Sequence, residues 1–366
     1  MIRHLRGRFK PTVVAAVAAV ATAGALAVAP LAAADTNGQT GNGREMAAAD
    51  HGPMPLADPD TIQKPGAGDR YVSYGTSRAG RAIPYVVHGS GNTVGMDTTI
   101  DGDAMPGGPG DWARQDIGLW APSVVRHHGR FLLFYSATQN GTGNPGRKCI
   151  GVATSADTAG PFHPRAKPLL CNPGGWSIDP DAFVANRHLY VAYRDDRATT
   201  GHETAISVVR LNKSATKVLR KRVLFTSRKI TWESVGTTTH IVENPSMVRR
   251  HGRWWLFYSG NAWRTDKYST GVAKCGKSPL GTSCTPYFGA GRPWFGYVGS
   301  TGLRASHAPK RKLPGNHRGP GGMSIFFARD GSMRVVWHYH SAHGRVSRTG
   351  VLHLNPATGV WTVTSE

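Results

Sequence analysis

Five segments of the chain share one pattern, and this internal repeat constrains the fold more than any other feature of the sequence. Each segment has a polar or proline-containing start, an apolar strand, a tight turn and an aromatic strand. The starts are Asp58-Pro59-Asp60, Ala121-Pro122-Ser123, Asp179-Pro180-Asp181, Asn244-Pro245-Ser246 and Met323-Ser324-Ile325, and the turns contain Gly68, Gly129, Asn186, Gly252 and Gly331. Such segments are typical of β-hairpins.

The spacing of the repeats indicates how the hairpins assemble. Tyr74, Tyr135, Tyr193 and Tyr258 are 61, 58 and 65 residues apart, and His338 follows after 80. Repeats of this length, with several strands each, favour a radial array over a sandwich. We therefore predict an all-β, five-bladed β-propeller of four-stranded antiparallel blades over residues 56–366, a closed form that leaves few exposed sheet edges.

The composition agrees with a compact β-protein. With 46 Gly and 24 Pro in 366 residues, a coiled coil or helical bundle is excluded. The hydrophobic fraction of 39%, with 10 Trp, 11 Tyr and 11 Phe, supplies a substantial core and argues against disorder.

The first residues are typical of an export signal. Four Arg and Lys residues precede an uncharged Ala/Val run from Val13 to Ala34, which ends in small residues. The sequence predicts a signal peptide over 1–34, a flexible linker over 35–55 and a secreted, extracellular protein. An uncleaved membrane anchor is the alternative, although Gly24 and Pro30 interrupt the run.

Four cysteines in an exported chain favour two disulfides over a metal site, because zinc-type ligand spacing is absent. Three pairings are possible. Cys149 with Cys171 and Cys275 with Cys284 would each link neighbouring strands within one blade, so we predict these two local disulfides.

The chain is strongly basic, with 44 Lys and Arg against 22 Asp and Glu and a formal charge of +22. Losing the four cations of the leader would still leave +18. Such a charge attracts anionic polymers, either acidic polysaccharides or nucleic acid. The basic residues are mostly scattered singly and no nucleic-acid motif is present, so we predict a solvated basic surface and no nucleic-acid partner.

Three of the five segment starts carry or adjoin a carboxylate: Asp58, Asp179 and Glu243. The innermost strands of a propeller surround one axis, so these side chains would meet at one mouth. Glycoside hydrolysis needs one protonated carboxyl group and one ionised carboxylate, and a third nearby would raise the pKa of the acid. The alternative for each residue is an ordinary turn role beside proline.

Candidates for a glutamic acid donor are few. The chain has five glutamates: Glu45, Glu203, Glu233, Glu243 and Glu366. Only Glu243 lies in a segment start, whereas Glu203 and Glu233 lie in polar stretches where we expect solvated side chains. Asp60 and Asp69 are near Asp58, and alternation alone does not decide which of the three faces the channel.

Several motifs resemble glycoside hydrolase family 43. They are Leu119-Trp120-Ala121-Pro122-Ser123-Val124, Ile178-Asp179-Pro180-Asp181 and Glu243-Asn244-Pro245-Ser246, with Asp58-Pro59 upstream and Gly-Pro-Phe at 160–162. The resemblance implies a five-bladed propeller that hydrolyses arabinans, xylans or related side chains with inversion. It further implies Asp58 as general base, Glu243 as general acid, and Asp179 as the residue that orients the acid and tunes its pKa.

The resemblance also suggests substrate-binding residues. Trp120 offers a flat face for stacking on a sugar ring, with core packing as the alternative. An arginine of the last blade often faces the substrate in this family; Arg345 and Arg348 are both available, and we take Arg348 as the candidate. His338 completes the set, with strand packing as its alternative.

No metal ligand is predicted. Family members often carry Gly-Pro-Gly-His at the start of the fifth blade, where the histidine helps to hold a central ion. Here the run is Gly319-Pro320-Gly321-Gly322, so calcium as a structural cofactor is not expected unless His317 or His338 replaces the missing ligand.

The sequence thus predicts a monomeric, secreted hydrolase of arabinose- or xylose-containing plant polysaccharide or oligosaccharide, with no membrane contact after signal cleavage. The alternative is a noncatalytic carbohydrate-binding propeller that attaches to acidic wall polymers. A retaining fructan-active enzyme is disfavoured, because the Asn-Asp-Pro, Arg-Asp-Pro and Glu-Cys motifs expected of it are missing. For inversion, the carboxyl groups of Asp58 and Glu243 should be roughly 6.5 to 9.5 Å apart.

Overall fold

The computed structural model describes residues 53–89, 99–141, 146–196, 203–287, 292–296, 318–342 and 344–365. The predicted signal peptide and residues 35–52 of the predicted linker lie outside these ranges. Within them, no helix is both long and apolar enough to cross a membrane.

The described chain forms five antiparallel sheets. Blade one contains β1 (Asp60–Gln63), β2 (Arg70–Tyr74), β3 (Pro84–Gly89) and β4 (Gly102–Asp103). Blade two contains β5 (Trp120–His127), β6 (Arg130–Thr138), β7 (Lys148–Ser155) and β8 (His163–Pro164), and β9 (Leu170–Cys171) also pairs with β7. Blade three contains β10 (Ser177–Ala185), β11 (His188–Asp196), β12 (Thr204–Leu211) and β13 (Val218–Thr226).

A 3-10 turn (Thr231–Glu233) and a small ribbon of β14 (Ser234–Val235) and β15 (Thr239–His240) lead to the fourth blade. Blade four contains β16 (Val242–Arg250), β17 (Arg253–Gly260), β18 (Ser269–Lys274) and β19 (Thr285–Pro286). Blade five contains β20 (Arg318–Phe327), β21 (Met333–Ser341), β22 (Gly344–Leu354) and β23 (Trp361–Ser365). The five-bladed propeller predicted from the repeats is confirmed.

The second strand of each blade is buried on both faces, because each blade packs between its two neighbours. In β6 every residue after Arg130 is buried, and in β17 every residue after Arg253. This explains why these strands read as continuous apolar and aromatic runs rather than as alternating polar and apolar residues.

Near the start of the first strand of every blade lies one residue in the left-handed backbone region. The φ angles are 48° at Asp58, 43° at Ala121, 55° at Asp179, 46° at Asn244 and 58° at Gly322. These residues and their successors line a narrow cavity. In blade five the equivalent start is thus Gly322-Met323-Ser324, one residue before the segment predicted from the sequence, because no proline marks it.

The residue two positions after each start joins its blade to the next. Oδ2 of Asp60 accepts from Val124 N (2.7 Å), Oγ of Ser123 from Ala182 N (2.9 Å), Oδ2 of Asp181 from Met247 N (2.8 Å), and Oγ of Ser246 from Ile325 N (3.2 Å). Ser324 Oγ then donates to Asp60 Oδ1 at 2.8 Å. These five hydrogen bonds form a closed ring around the axis.

Both predicted disulfides are present. Cys149–Cys171 links β7 to β9, and Cys275–Cys284 spans the connection between β18 and β19. At the end of the predicted linker, Met54 is fully buried and its backbone pairs with that of Ser347 in the fifth blade.

Candidate active site

The starts of the inner strands bring Asp58, Asp179 and Glu243 to one end of the propeller axis. All three side chains are largely buried. Asp179 Oδ2 accepts from the backbone N of Asn244, the residue after Glu243, at 3.2 Å. The negative charges of Glu243 and Asp58 both act on Asp179, which shows that the three carboxyl groups form one electrostatic cluster.

Asp58 is held as a carboxylate. Arg345 Nη1 donates to its Oδ1 at 2.8 Å and to its Oδ2 at 3.0 Å, and Thr76 Oγ1 donates to Oδ2 at 2.6 Å. Burial by itself would raise the pKa of Asp58, but the Arg345 guanidinium and these hydrogen bonds bring it below its ordinary value. An ionised carboxylate of this kind suits a general base.

Glu243 has the opposite tendency. Arg194 Nη1 donates to its Oε2 at 2.6 Å, and Tyr268 Oη donates to its Oε1 at 2.9 Å. Burial is the largest influence and raises the pKa of Glu243 above its ordinary value, despite the opposing effect of Arg194 and Tyr268. A buried carboxyl group that keeps its proton is suited to donate it.

Asp179 lies between these two groups. Burial, followed by the negative charges of Glu243 and Asp58, raises the pKa of Asp179 well above its ordinary value. A second buried carboxyl group next to Glu243 makes ionisation of both unfavourable, so the pair favours a protonated form.

His338 is fully buried next to Asp58. Its Nδ1 accepts from the backbone N of Asp58 at 3.0 Å, and its ring stacks on Tyr268 with centroids 5.7 Å apart. Burial lowers the pKa of His338 to about 3, so the ring is neutral at ordinary pH. In this structure the ring contacts the backbone of Asp58 and the face of Tyr268, and direct contact with substrate stays a prediction.

The two candidate arginines of the last blade have different environments. Arg348 is buried, and its Nε donates to Tyr339 Oη at 3.1 Å. Arg345 is the one that pairs with Asp58. Both residues lie on β22, where positions three apart point to opposite faces, so Arg345 and not Arg348 contacts the carboxylates, and substrate contact by Arg348 stays a prediction.

Two exposed tryptophans flank the carboxylates. Trp176 is 36% exposed, lies edge to face with the half-buried Trp120 (centroids 6.2 Å apart), and has the Arg194 guanidinium 5.7 Å from its ring. Trp263 is 42% exposed, with Arg345 at 4.5 Å from its ring. Each arginine that contacts Glu243 or Asp58 therefore also lies against an exposed aromatic ring of the kind that stacks on sugars.

The face of Trp120 itself is partly covered. Lys148 Nζ lies 3.8 Å from the centre of the Trp120 ring and donates to Thr138 Oγ1 at 2.6 Å. Trp176, which the sequence analysis did not select, is the more accessible of the two rings.

Sequence reasoning also missed Arg194, Tyr268, Thr76 and Trp263. Arg194 had one usable signal, since it is the first charged residue after the apolar run 189–193 of an inner strand. Tyr268 and Trp263 lie in the connection between β17 and β18, where no periodicity predicts direction.

Position in the fold decides two other expectations, one about the aspartates near Asp58 and one about Glu233. Asp60 belongs to the hydrogen-bonded ring, and Asp69 is exposed in the β1–β2 turn, so Asp58 is the member of this group that faces the cluster. Glu233 is not solvated: it is fully buried and accepts from Tyr258 Oη and the backbone N of Arg228.

The sequence offers His317 and His338 as replacement ligands for a central ion. His317 lies outside the described residues. Among the residues that the structure does describe, no three His, Cys, Asp or Glu side chains are grouped as ligands for a metal ion.

Comparison with known proteins agrees with the fold and the motifs. The family model described as glycosyl hydrolases family 43 matches residues 56–358. The chain is similar to the crystal structure of a thermostable family-43 glycoside hydrolase, with a TM-score of 0.67 and 21% identity over 86% of this chain and 96% of that one.

Two further solved structures are similar, both from Bacteroides thetaiotaomicron. An endo-1,4-beta-xylanase gives a TM-score of 0.64 and 23% identity, over 86% of this chain and 96% of that one. An endo-arabinase gives a TM-score of 0.61 and 16% identity, over 82% of this chain and 95% of that one. A comparison with curated protein sequences gives no match.

Proposed function

Because this chain belongs to glycosyl hydrolase family 43, whose members are glycosidases, we propose that it is a secreted, monomeric, inverting hydrolase of arabinose- or xylose-containing plant polysaccharide or oligosaccharide. The observation that carries the proposal is the opposite pKa direction of two carboxyl groups in one mouth: lowered at Asp58 and raised at Glu243. The xylanase and endo-arabinase among the similar structures support the substrate class.

In the proposed reaction, Glu243 donates its proton to the glycosidic oxygen as the bond from that oxygen to the anomeric carbon breaks. Asp58 accepts a proton from a water molecule, whose oxygen bonds to the anomeric carbon from the opposite face of the sugar. The products are two sugars with free hydroxyl groups, and the anomeric configuration is inverted. Arg345 keeps Asp58 ionised, burial favours the protonated form of Glu243, and Asp179 is the residue proposed to orient Glu243.

The direct test is the configuration of the first product. We expect proton NMR during hydrolysis of arabinan, xylan or an aryl glycoside of arabinofuranose or xylose to show the inverted anomer before mutarotation. Glu243→Gln on polymer, and Asp58→Asn on polymer and aryl glycoside, should each lower kcat by roughly 10²- to 10⁴-fold. The matched control is Asp69→Asn in the exposed turn, which should retain full activity.

Two results would contradict the proposal. A first product with retained configuration would exclude inversion. Inactivity of the wild-type protein on the whole panel, with binding to the same polymers, would favour the noncatalytic alternative. Secretion is tested separately by mass spectrometry of the exported protein, which we expect to begin at Asp35.

A further inference from the structure

The face of the propeller opposite the carboxylates is formed by the five turns between first and second strands. We call this surface the turn face and define it as residues 63–71, 126–131, 184–189, 249–254 and 326–334. From Asp179 to Asn186 the chain advances seven residues along β10, or about 23 Å at roughly 3.3 Å per residue. The turn face is therefore separate from the candidate active site.

The turn face is strongly basic. It carries ten Lys and Arg side chains but two Asp, Asp69 and Asp330. Seven of the arginines are exposed: Arg70, Arg126, Arg130, Arg187, Arg249, Arg250 and Arg329. Among the described residues, none of these seven arginines forms an ion pair.

A cavity of about 520 Å³ adjoins this face between blades two and three. Its charged or titratable lining residues are His127, His128, Arg130, Arg165 and Lys213, and no carboxylate lines it. Its volume falls in the range of small-molecule sites, about 300 to 1,000 Å³. The lining is therefore suited to an anionic group.

The cavity has a fixed wall. Arg165 Nη2, from blade two, donates to the backbone O of Ser214 in the β12–β13 loop. Within that loop Asn212 Oδ1 accepts from Thr216 N at 2.8 Å and from Lys217 N at 3.0 Å. These contacts fix the loop that carries Lys213, which lines the cavity together with Arg130, and no carboxylate is among the lining residues.

A second groove continues the basic surface on the other side of the β5–β6 hairpin. It has a volume of about 570 Å³, and Lys64, Arg126 and Arg329 line it. Because Arg126 and Arg130 lie on the same hairpin, the two concave sites follow one another across the turn face. A linear polyanion could contact both.

We propose that the turn face binds a uronate-bearing polysaccharide, with the cavity of Arg130 and Lys213 as the site for one of its carboxylates. The family acts on polysaccharide, and plant wall polymers carry uronic acid carboxylates alongside neutral sugars. Single-stranded nucleic acid is disfavoured because the cavity lining contains no Trp, Tyr or Phe on which unpaired bases could stack, and duplex DNA is distinguished by the binding test. Binding on a separate face would hold the enzyme on the polymer while the mouth remains open.

The test measures binding of the full-length protein to polygalacturonate by isothermal titration calorimetry, with neutral arabinan and double-stranded DNA as comparison ligands. We expect binding to polygalacturonate that weakens steeply as salt rises, because exposed charges are screened. The variant Arg130→Gln/Lys213→Gln should lower this affinity by about tenfold. Its activity on a small aryl glycoside should equal that of the wild type, since neither residue is near the carboxylates.

The matched control is Arg220→Gln/Arg222→Gln, which removes the same charge from the exposed outer strand β13. It should change the affinity by less than about twofold. Absence of polygalacturonate binding, an equal loss in both double variants, or equally tight DNA binding would each overturn the proposal. Because Glu243→Gln should bind polygalacturonate as the wild type does, failure of the hydrolase proposal would be seen independently.

Discussion

Arg345 contacts Asp58 and Arg194 contacts Glu243, yet the pKa of Asp58 is lowered whereas the pKa of Glu243 is raised. Arg345 directs one nitrogen to both oxygens of Asp58, and Thr76 adds a further hydrogen bond. Arg194 contacts Glu243 but also donates to Asp196, at 2.8 Å from Nε and 3.2 Å from Nη2. The charge of Arg194 is therefore shared with Asp196, and burial prevails at Glu243.

This sharing predicts the effect of Asp196→Asn. Without the Asp196 charge, Arg194 acts more strongly on Glu243 and lowers the pKa of Glu243. Since the acid must be protonated, the alkaline limb of kcat/KM should move to lower pH. The acidic limb, which depends on Asp58, should stay in place and serves as an internal control. An alkaline limb that is unmoved, or that moves upward, would contradict the assignment of Glu243 as acid.

At the scale of the strand, the residue with left-handed backbone and the residue two positions later have different roles. The first lines the axial cavity, and the second bonds to the neighbouring blade. Register shifts occur between Trp120 and Ser123, Ile178 and Asp181, and Glu243 and Ser246. At these irregularities the strand leaves its own ladder. The side chain after the shift then accepts a backbone hydrogen bond from the neighbouring blade, as Ser123 does from Ala182.

Ser123→Ala should therefore destabilise the protein. The substitution leaves the backbone N–H of Ala182 without its acceptor, and an unpaired buried donor costs about 1–3 kcal/mol in the free energy of unfolding. Chemical denaturation should show a lower midpoint with an unchanged slope. The control Ser278→Ala lies in an exposed loop and should remain within about 0.5 kcal/mol of the wild type. Equal midpoints for both variants would show that the inter-blade bond is unimportant.

For the whole molecule, closure of the ring removes two aspartates from most of the solvent: Asp60 is buried and Asp181 is half-buried. Burial raises the pKa of Asp60 to about 6 and raises that of Asp181 well above its ordinary value. A folded-state pKa above the unfolded one means that the protonated form stabilises the fold. This contribution of Asp60 is complete below about pH 3.8, the ordinary value, and is lost as pH rises through about 6.

Asp60→Asn should remove this pH dependence while keeping the ring. An asparagine can accept from Val124 N and donate to Ser324 Oγ, so both hydrogen bonds remain possible. At pH 7 the variant should be more stable than the wild type, by an amount on the order of 2–3 kcal/mol, and the two should converge near pH 4. Thermal unfolding from pH 4 to 8 measures this, with the exposed Asp111→Asn as control. Parallel curves at all pH values would refute the role of Asp60.

The repeats, the cysteine spacing and the rarity of glutamate allowed the sequence alone to determine much of this protein. The spacing of the hairpins and the residues in their turns specify the five blades. The closeness of the paired cysteines along the chain specifies both disulfides. Both features depend on residues that are near one another in the sequence. Repetition also predicted which carboxylates meet, since equivalent positions in equivalent blades surround one axis.

Other features were decided only by the tertiary structure. Arg345 and Arg348 look alike in the sequence, and strand register alone puts Arg345 against Asp58. Glu233 reads as a surface residue until Tyr258 covers it, and the start of blade five shifts by one residue because no proline marks it. The contacts of Arg345 and Glu233 are made with side chains 287 and 25 residues away in the chain, and no local pattern records such distant contacts.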